Sequence, residues 1–184
     1  LPFIGIYLKS NLPSGYLSTN IYPVPKLENP FLGVHYTITV DGGIKIGPTA
    51  IPAFWREQYK GLENFNTSEF FEILIRQLSL AATSKFGFKK LAAEEMLKYY
   101  KPNMIKRAIK LCSGFNEKSF NCWSTPGIRA QLVNAREKKL EMDFVIEGDD
   151  KSLHVLNAVS PAFTCSIPFS KYVVNKIEDF VNKN

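Results

Sequence analysis

Histidine and cysteine are scarce: the 184 residues hold two histidines and three cysteines. Cys112, Cys122 and Cys165 are odd in number and lack the paired C-x-x-C spacing of a zinc site, so free thiols in a reducing compartment are the plain reading. No apolar run reaches the roughly 18 residues a membrane span needs. Leu1-Pro-Phe-Ile-Gly lacks the basic region that opens a signal peptide. There is no G-x-G-x-x-G, no internal repeat, no low-complexity segment and no nucleic-acid-binding motif. The first residue is not Met and falls within what reads as a strand, so a piece of a longer chain is expected.

Apolar and aromatic residues are plentiful, at 45% and 13%, enough for a sizeable core in a chain of this length. The net charge of +6 comes from 23 basic against 17 acidic residues that are interspersed. The densest basic segment, Lys98, Lys101, Lys106, Arg107 and Lys110, follows a helical pattern and reads as a solvated face, with a membrane surface or anionic partner as the alternative.

Residues 1 to 60 read as strands at Leu1 to Leu8, Tyr16 to Val24, Gly33 to Val40 and Ile44 to Ile51, rich in β-branched and aromatic residues and separated by Asn, Pro, Ser and Gly. A helix follows the capping pattern Asn66-Thr-Ser-Glu69, carried by Phe70, Phe71, Leu74, Leu78 and Ala81. Two more are predicted around Lys89 to Tyr100 and Pro102 to Cys112, with Pro102 in a first turn, where its missing N–H is harmless. Strands return at Ile128 to Val133, Asp143 to Glu147 and Leu153 to Ala158, before a last helix around Ser170 to Asn182. The order predicts an α+β fold.

The segment from Gly33 to Pro48, with one of the two histidines and several glycines, invites comparison with a phosphate loop. It continues as a strand after Gly43 where a phosphate loop would open a helix, so it reads as a hairpin. A three-residue loop Asp41-Gly42-Gly43 sets Val40 against Ile44, Ile38 against Ile46 and Thr39 against Lys45. That register places Val34, Tyr36, Ile38, Val40, Ile44 and Ile46 on one face, and His35, Thr37, Thr39, Lys45 and Thr49 on the other. His35 therefore lies on a polar sheet face, where a lone histidine is more often a hydrogen-bonded side chain than a catalyst.

Several ordered motifs carry a family resemblance. Asn20-Ile-Tyr-Pro-Val-Pro25, Pro30-Phe-Leu-Gly-Val-His-Tyr-Thr37, Asp41-Gly, Gly47-Pro48 and Arg56-Glu-Gln-Tyr59 occur in the first half. Pro126-Gly-Ile-Arg-Ala-Gln131, Asp143-Phe-Val145, Leu153-His-Val-Leu-Asn-Ala158 and Ser160-Pro-Ala-Phe-Thr-Cys-Ser166 follow in the second. Together they resemble the substrate-binding, C-terminal portion of the FAD-dependent L-2-hydroxyglutarate dehydrogenase/oxidase family, within the D-amino-acid-oxidase-like flavoproteins. The resemblance implies a large mixed, mostly antiparallel sheet in a substrate-binding domain over 1–152, with a helical insertion at about 66–113. It also implies that 153–184 returns to an FAD-binding domain whose N-terminal dinucleotide-binding part lies outside these residues.

The implied reaction removes a hydride from an L-2-hydroxy acid to FAD, with His35 as the base. Arg129 would meet a carboxylate or the flavin edge, its alternative being an ion pair with Asp143. Arg56 and Tyr59 are lesser substrate contacts. The resemblance places Ser160, Pro161, Ala162 and Thr164, ahead of the last helix, against the flavin's pyrimidine side, with backbone N–H groups of the segment other than at Pro161 as donors. His154 is expected to be structural in a buried strand.

The implied partners are a small 2-hydroxy acid and the FAD domain, with no nucleic acid; peripheral contact with a membrane is a secondary expectation. The implied location is the cytoplasm or the inner membrane's surface, mitochondrial in a eukaryote. Two other readings stay open: a related flavoprotein acting on an amino acid, and a stand-alone binding module without catalysis. One departure stands out, since Ile4 and Ile6 occupy positions where the family opening carries an arginine and an acid.

Overall fold

The structure, a computed structural model, describes all residues except 26–28, 30, 84–86, 159–162 and 183–184. Its centre is an antiparallel sheet whose strands break at a common level. One lane is β1 (Pro2–Gly5) and β2 (Leu8–Ser10). After the hairpin strand β3 (His35–Ile38), a second lane is β4 (Ile44–Gly47) and β5 (Ile51–Pro52). The third lane is β6 (Phe120–Trp123) and β7 (Gly127–Ala130). Below the break the strand order is β5-β1-β7, and above it β3-β4-β2-β6.

Hydroxyl side chains take up the backbone groups that the break leaves unpaired. Thr49 Oγ1 accepts from Ile6 N at 3.1 Å and donates to Ile4 O at 2.9 Å, while Ser124 Oγ accepts from Tyr7 N at 3.0 Å. Gly47 is required there: its φ is +145°, and a Cβ would stand 2.9 Å from Ile6 O.

Two clusters form the core. Leu8, Tyr36, Ile44, Ile46 and Phe120 share the sheet face that receives Met104, Ile105 and Ala108 of a helix over Lys101–Leu111. Phe3, Phe31 and Ala50 pack with Leu80 and Phe88, which come from helices over Thr67–Thr83 and Phe88–Tyr99. In chain order these helices are α1 (Thr67–Thr83), α2 (Phe88–Tyr99) and α3 (Lys101–Leu111). Each fully buried large apolar side chain contributes about 1.5–3 kcal/mol. Burial also pushes the Tyr36 hydroxyl up to about 12.

Asn66 Oδ1 accepts from Glu69 N at 3.0 Å, the cap that the sequence predicts for α1. Between α2 and α3 the backbone turns extended at Tyr100, because a Pro102 ring inside a continuous helix would meet the carbonyl of residue 98. In α2, Lys98, expected on a solvated face, is instead buried and paired with the buried Glu95, whose Oε2 accepts from Ala50 N at 2.9 Å. That bond ties α2 to the lane joining β4 and β5.

The remainder is β8 (Val133–Asn134) with β9 (Lys139–Leu140), β10 (Val145–Gly148) with β11 (Leu153–Asn157), and α4 (Ser166–Val181). The α+β class is as expected, with antiparallel pairing throughout the described strands.

Four local expectations are corrected. Tyr16 to Val24 is no strand: only Ile21 bridges to Tyr36, and Pro23 and Pro25 have no N–H to extend the ladder. The hairpin loop is three residues long but comprises 40–42, closed by Thr39 N donating to Gly43 O at 2.8 Å. Gly42 takes the left-handed position with φ +77°, which shifts the pairing two residues without changing which residues share a face. Val40 thereby becomes an exposed loop residue. His154 is exposed, since β10 and β11 pair only with each other.

Candidate functional site

The alternation of β3, β4 and β2 decides what faces away from α3. Tyr36, Ile46 and Leu8 pair across the three strands on the helix side; Thr37, Lys45 and Lys9 pair on the other, with His35 beside Thr37 and opposite Gly47. The polar face expected for His35 is therefore present. Its histidine end is covered, though, and His35 is only 4% exposed.

The cover is aromatic. Tyr22, brought alongside by the Ile21–Tyr36 bridge, lies 4.4 Å from the His35 ring between centroids, and Tyr7 meets it edge-on at 6.1 Å. His35 Nδ1 is 2.9 Å from Gly33 O. A carbonyl can only accept, so the neutral ring carries its proton on Nδ1 and the lone pair on Nε2. Burial holds the His35 pKa below the ordinary histidine value; the Gly33 bond opposes this, and the charges of Lys45 and Lys98 reinforce it. The ring is thus held toward its neutral form, with a hydrogen-bond partner for Nδ1 and none for Nε2 among the described residues.

Two further groups share the face. Lys45 Nζ stands 4.3 Å over the Tyr7 ring and has no carboxylate partner among the described residues. Thr37 Oγ1 is buried without a hydrogen-bond partner, the only such side-chain atom among the described residues. The predicted face included Thr37 and Lys45, but nothing in the sequence marked them as unpartnered. Tyr7 and Tyr22 were not foreseen, because they reach His35 from separate segments.

The other predicted site residues lie elsewhere. Arg129 pairs with Phe3 across β7 and β1, and its guanidinium lies over the Phe31 ring at 5.4 Å, on the face that packs toward α1 and α2. It makes no ion pair with Asp143, and partial desolvation holds its pKa below the usual arginine value. Arg56 is paired with Glu69 at 3.6 Å. Arg56 and Tyr59 border one cavity of about 310 Å³ with Leu1, Pro2, Ile128 and Ala130. A second cavity of about 450 Å³ also touches Arg56, and neither includes His35 or Arg129. Thr164 is exposed in the turn before α4, while Ser160, Pro161 and Ala162 lie outside the described residues.

The relatives point to the same family as the sequence motifs. The chain is 34% identical over 191 residues to the mitochondrial L-2-hydroxyglutarate dehydrogenase of Mus musculus, a match covering 97% of the chain. It is 37% identical over 175 residues to the L-2-hydroxyglutarate dehydrogenase of Indibacter alkaliphilus and 30% over 178 to that of Escherichia coli K12, covering 91% and 96% of the chain. The chain belongs to the L-2-hydroxyglutarate dehydrogenase family. It spans about two fifths of these relatives' length, at 39% to 41%. No family model matches it.

Within this L-2-hydroxyglutarate dehydrogenase family chain, the departure at Ile4 has a local explanation. Ile4 lies between Ile51 and Ile128 on the neighbouring strands, so an apolar side chain there completes an apolar row across three strands.

Proposed function

We propose that the chain is the substrate-binding and C-terminal part of an FAD-dependent oxidoreductase that converts L-2-hydroxyglutarate, or a close 2-hydroxy acid, to the 2-oxo acid. In this reading 1–152 bind substrate, with the helices of 66–113 as an insertion, and 153–184 complete an FAD-binding domain formed with chain outside these residues.

The observation that carries the reading is His35, with Nδ1 committed to Gly33 O and Nε2 bearing the lone pair. The residues present fit a flavin and substrate on that face: α3 packs on the opposite one, and an unpartnered hydroxyl and a free cation flank the histidine. FAD, when bound, would supply the hydride acceptor. The chain's own task is to orient the hydroxy acid and exclude water under Tyr7 and Tyr22. His35 Nε2 takes the hydroxyl proton as the adjacent C–H bond breaks.

Arg129 is exposed and lies over Phe31, apart from His35; the motif resemblance, rather than its position, supports its assignment to a substrate carboxylate or the flavin edge. Arg56 and Tyr59 form a lesser contact across their shared cavity. The segment with Ser160, Pro161, Ala162 and Thr164 is assigned to the flavin's pyrimidine side, its backbone N–H donors lying at residues other than Pro161.

The test is anaerobic bleaching of the flavin in the full-length protein. L-2-Hydroxyglutarate should bleach it; bleaching by glycine or a D-amino acid but not by the hydroxy acid overturns the reading.

A further inference from the structure

A threonine without a hydrogen-bond partner and a lysine without a carboxylate partner among the described residues lie on the same sheet face as His35. Thr37 Oγ1 stands out because buried polar groups are almost always bonded, and one left alone is destabilising. Directly opposite is Lys45, and directly opposite Lys45 on the next strand is Lys9. Like charges facing each other across a ladder are destabilising, and no carboxylate among the described residues pairs with either lysine. An orphaned donor beside two unneutralised cations is a deficit that an anion corrects.

The spacing selects the anion. Thr37 and His35 are two residues apart on one face of β3, a repeat of about 6.6 Å along a strand. That is the scale of a short dicarboxylate whose hydroxyl sits at His35 and whose far carboxylate lies along the strand. Lys45 is half-buried, and its Nζ rests on the Tyr7 ring, a weak contact that a carboxylate would outcompete.

We infer that Thr37 Oγ1 and Lys45 Nζ bind the chain-end carboxylate of a dicarboxylic 2-hydroxy acid whose hydroxyl is held at His35. The inference rests on the proposed reaction and adds what selects a diacid over a monoacid. Thr37 donates a hydrogen bond to the carboxylate, Lys45 supplies the charge, and Lys9 adds longer-range attraction from the next strand. Neither residue touches the proton that His35 removes, so both act on substrate choice.

The experiment uses the full-length, flavin-loaded protein with L-2-hydroxyglutarate and L-2-hydroxyvalerate, which has the same carbon chain without the second carboxylate. The readout is the ratio of kcat/KM for the diacid to that for the monoacid, taken from anaerobic flavin reduction. Lys45→Met should lower this ratio about tenfold or more, mainly through KM for the diacid, the loss expected for one charged hydrogen bond. Thr37→Val should lower it less, while Tm stays level or rises because no native bond is lost. FAD content identifies correctly folded variants. A ratio within about twofold of the unsubstituted protein in both variants overturns the inference, as does a Tm loss in Thr37→Val matching a broken hydrogen bond. If neither acid reduces the flavin of the unsubstituted protein, the proposed reaction itself fails, and the inference falls with it.

Discussion

Helices α3 and α4 are both amphipathic in sequence, yet only one buries its apolar side. α3 places Met104, Ile105 and Ala108 in the core against the sheet. α4 is longer, at 16 residues against 11, and has no buried residue. Its Ile167, Tyr172, Val174, Ile177 and Val181 are exposed, and Phe169 stacks on Phe144 at 4.3 Å and, within the helix, on Tyr172 at 6.4 Å. The difference lies in the partner. α3 meets a four-stranded sheet, whereas α4 has near it the β10–β11 hairpin, and two strands alone are marginal in water. A periodic apolar pattern states that a helix has a side to bury and leaves open what it buries it against.

The sharpest way to break this contrast is to remove one lysine from each region. Lys98→Met leaves Glu95 buried without its partner and should cost about 3–5 kcal/mol in denaturant unfolding. Lys176→Met breaks the exposed pair with Asp179 on α4, at 3.5 Å, and should cost no more than about 1 kcal/mol. Equal losses would mean that the two regions are equally consolidated. A smaller contrast is expected from apolar truncation in the 184-residue chain. Ile105→Ala should cost about 2–5 kcal/mol and Ile177→Ala within about 0.5 kcal/mol, with α4 amides exchanging faster than those of α3.

Much of the body was legible because its signals are local. The Asn66 cap, the Pro102 break between helices and the hairpin alternation each depend on a few neighbouring residues, and each is found. The hairpin loop moved by one residue because two adjacent glycines could each take the left-handed position, and Gly42 does. β6 was missed because Phe120–Trp123 is short and its sequence shows no strand-like alternation. α4 begins at Ser166, four residues earlier than expected, with Pro168 accommodated in its first turn.

The site was legible only in part. The sequence placed His35, Thr37 and Lys45 on one face, but the cover over His35 and the ring beneath Lys45 come from Tyr7 and Tyr22 in separate segments. Arg129 was predicted by motif, and the fold turns it toward Phe31 on the face that packs against the helices. Residue type and spacing do not reveal such a turn, because a strand's two faces are assigned only when the sheet is assembled.

The central claim is that His35 is the base, and the most direct test is the rate of anaerobic flavin reduction by L-2-hydroxyglutarate in the full-length protein, with and without His35→Ala. A base with a lowered pKa is neutral at pH 7, so the unsubstituted rate should hold there and decline only as pH falls below about 6.5 toward that lowered value. His35→Ala should lower the rate by about 100-fold or more with FAD retained, and the acid limb should vanish. An unchanged rate and pH profile in His35→Ala would contradict the account.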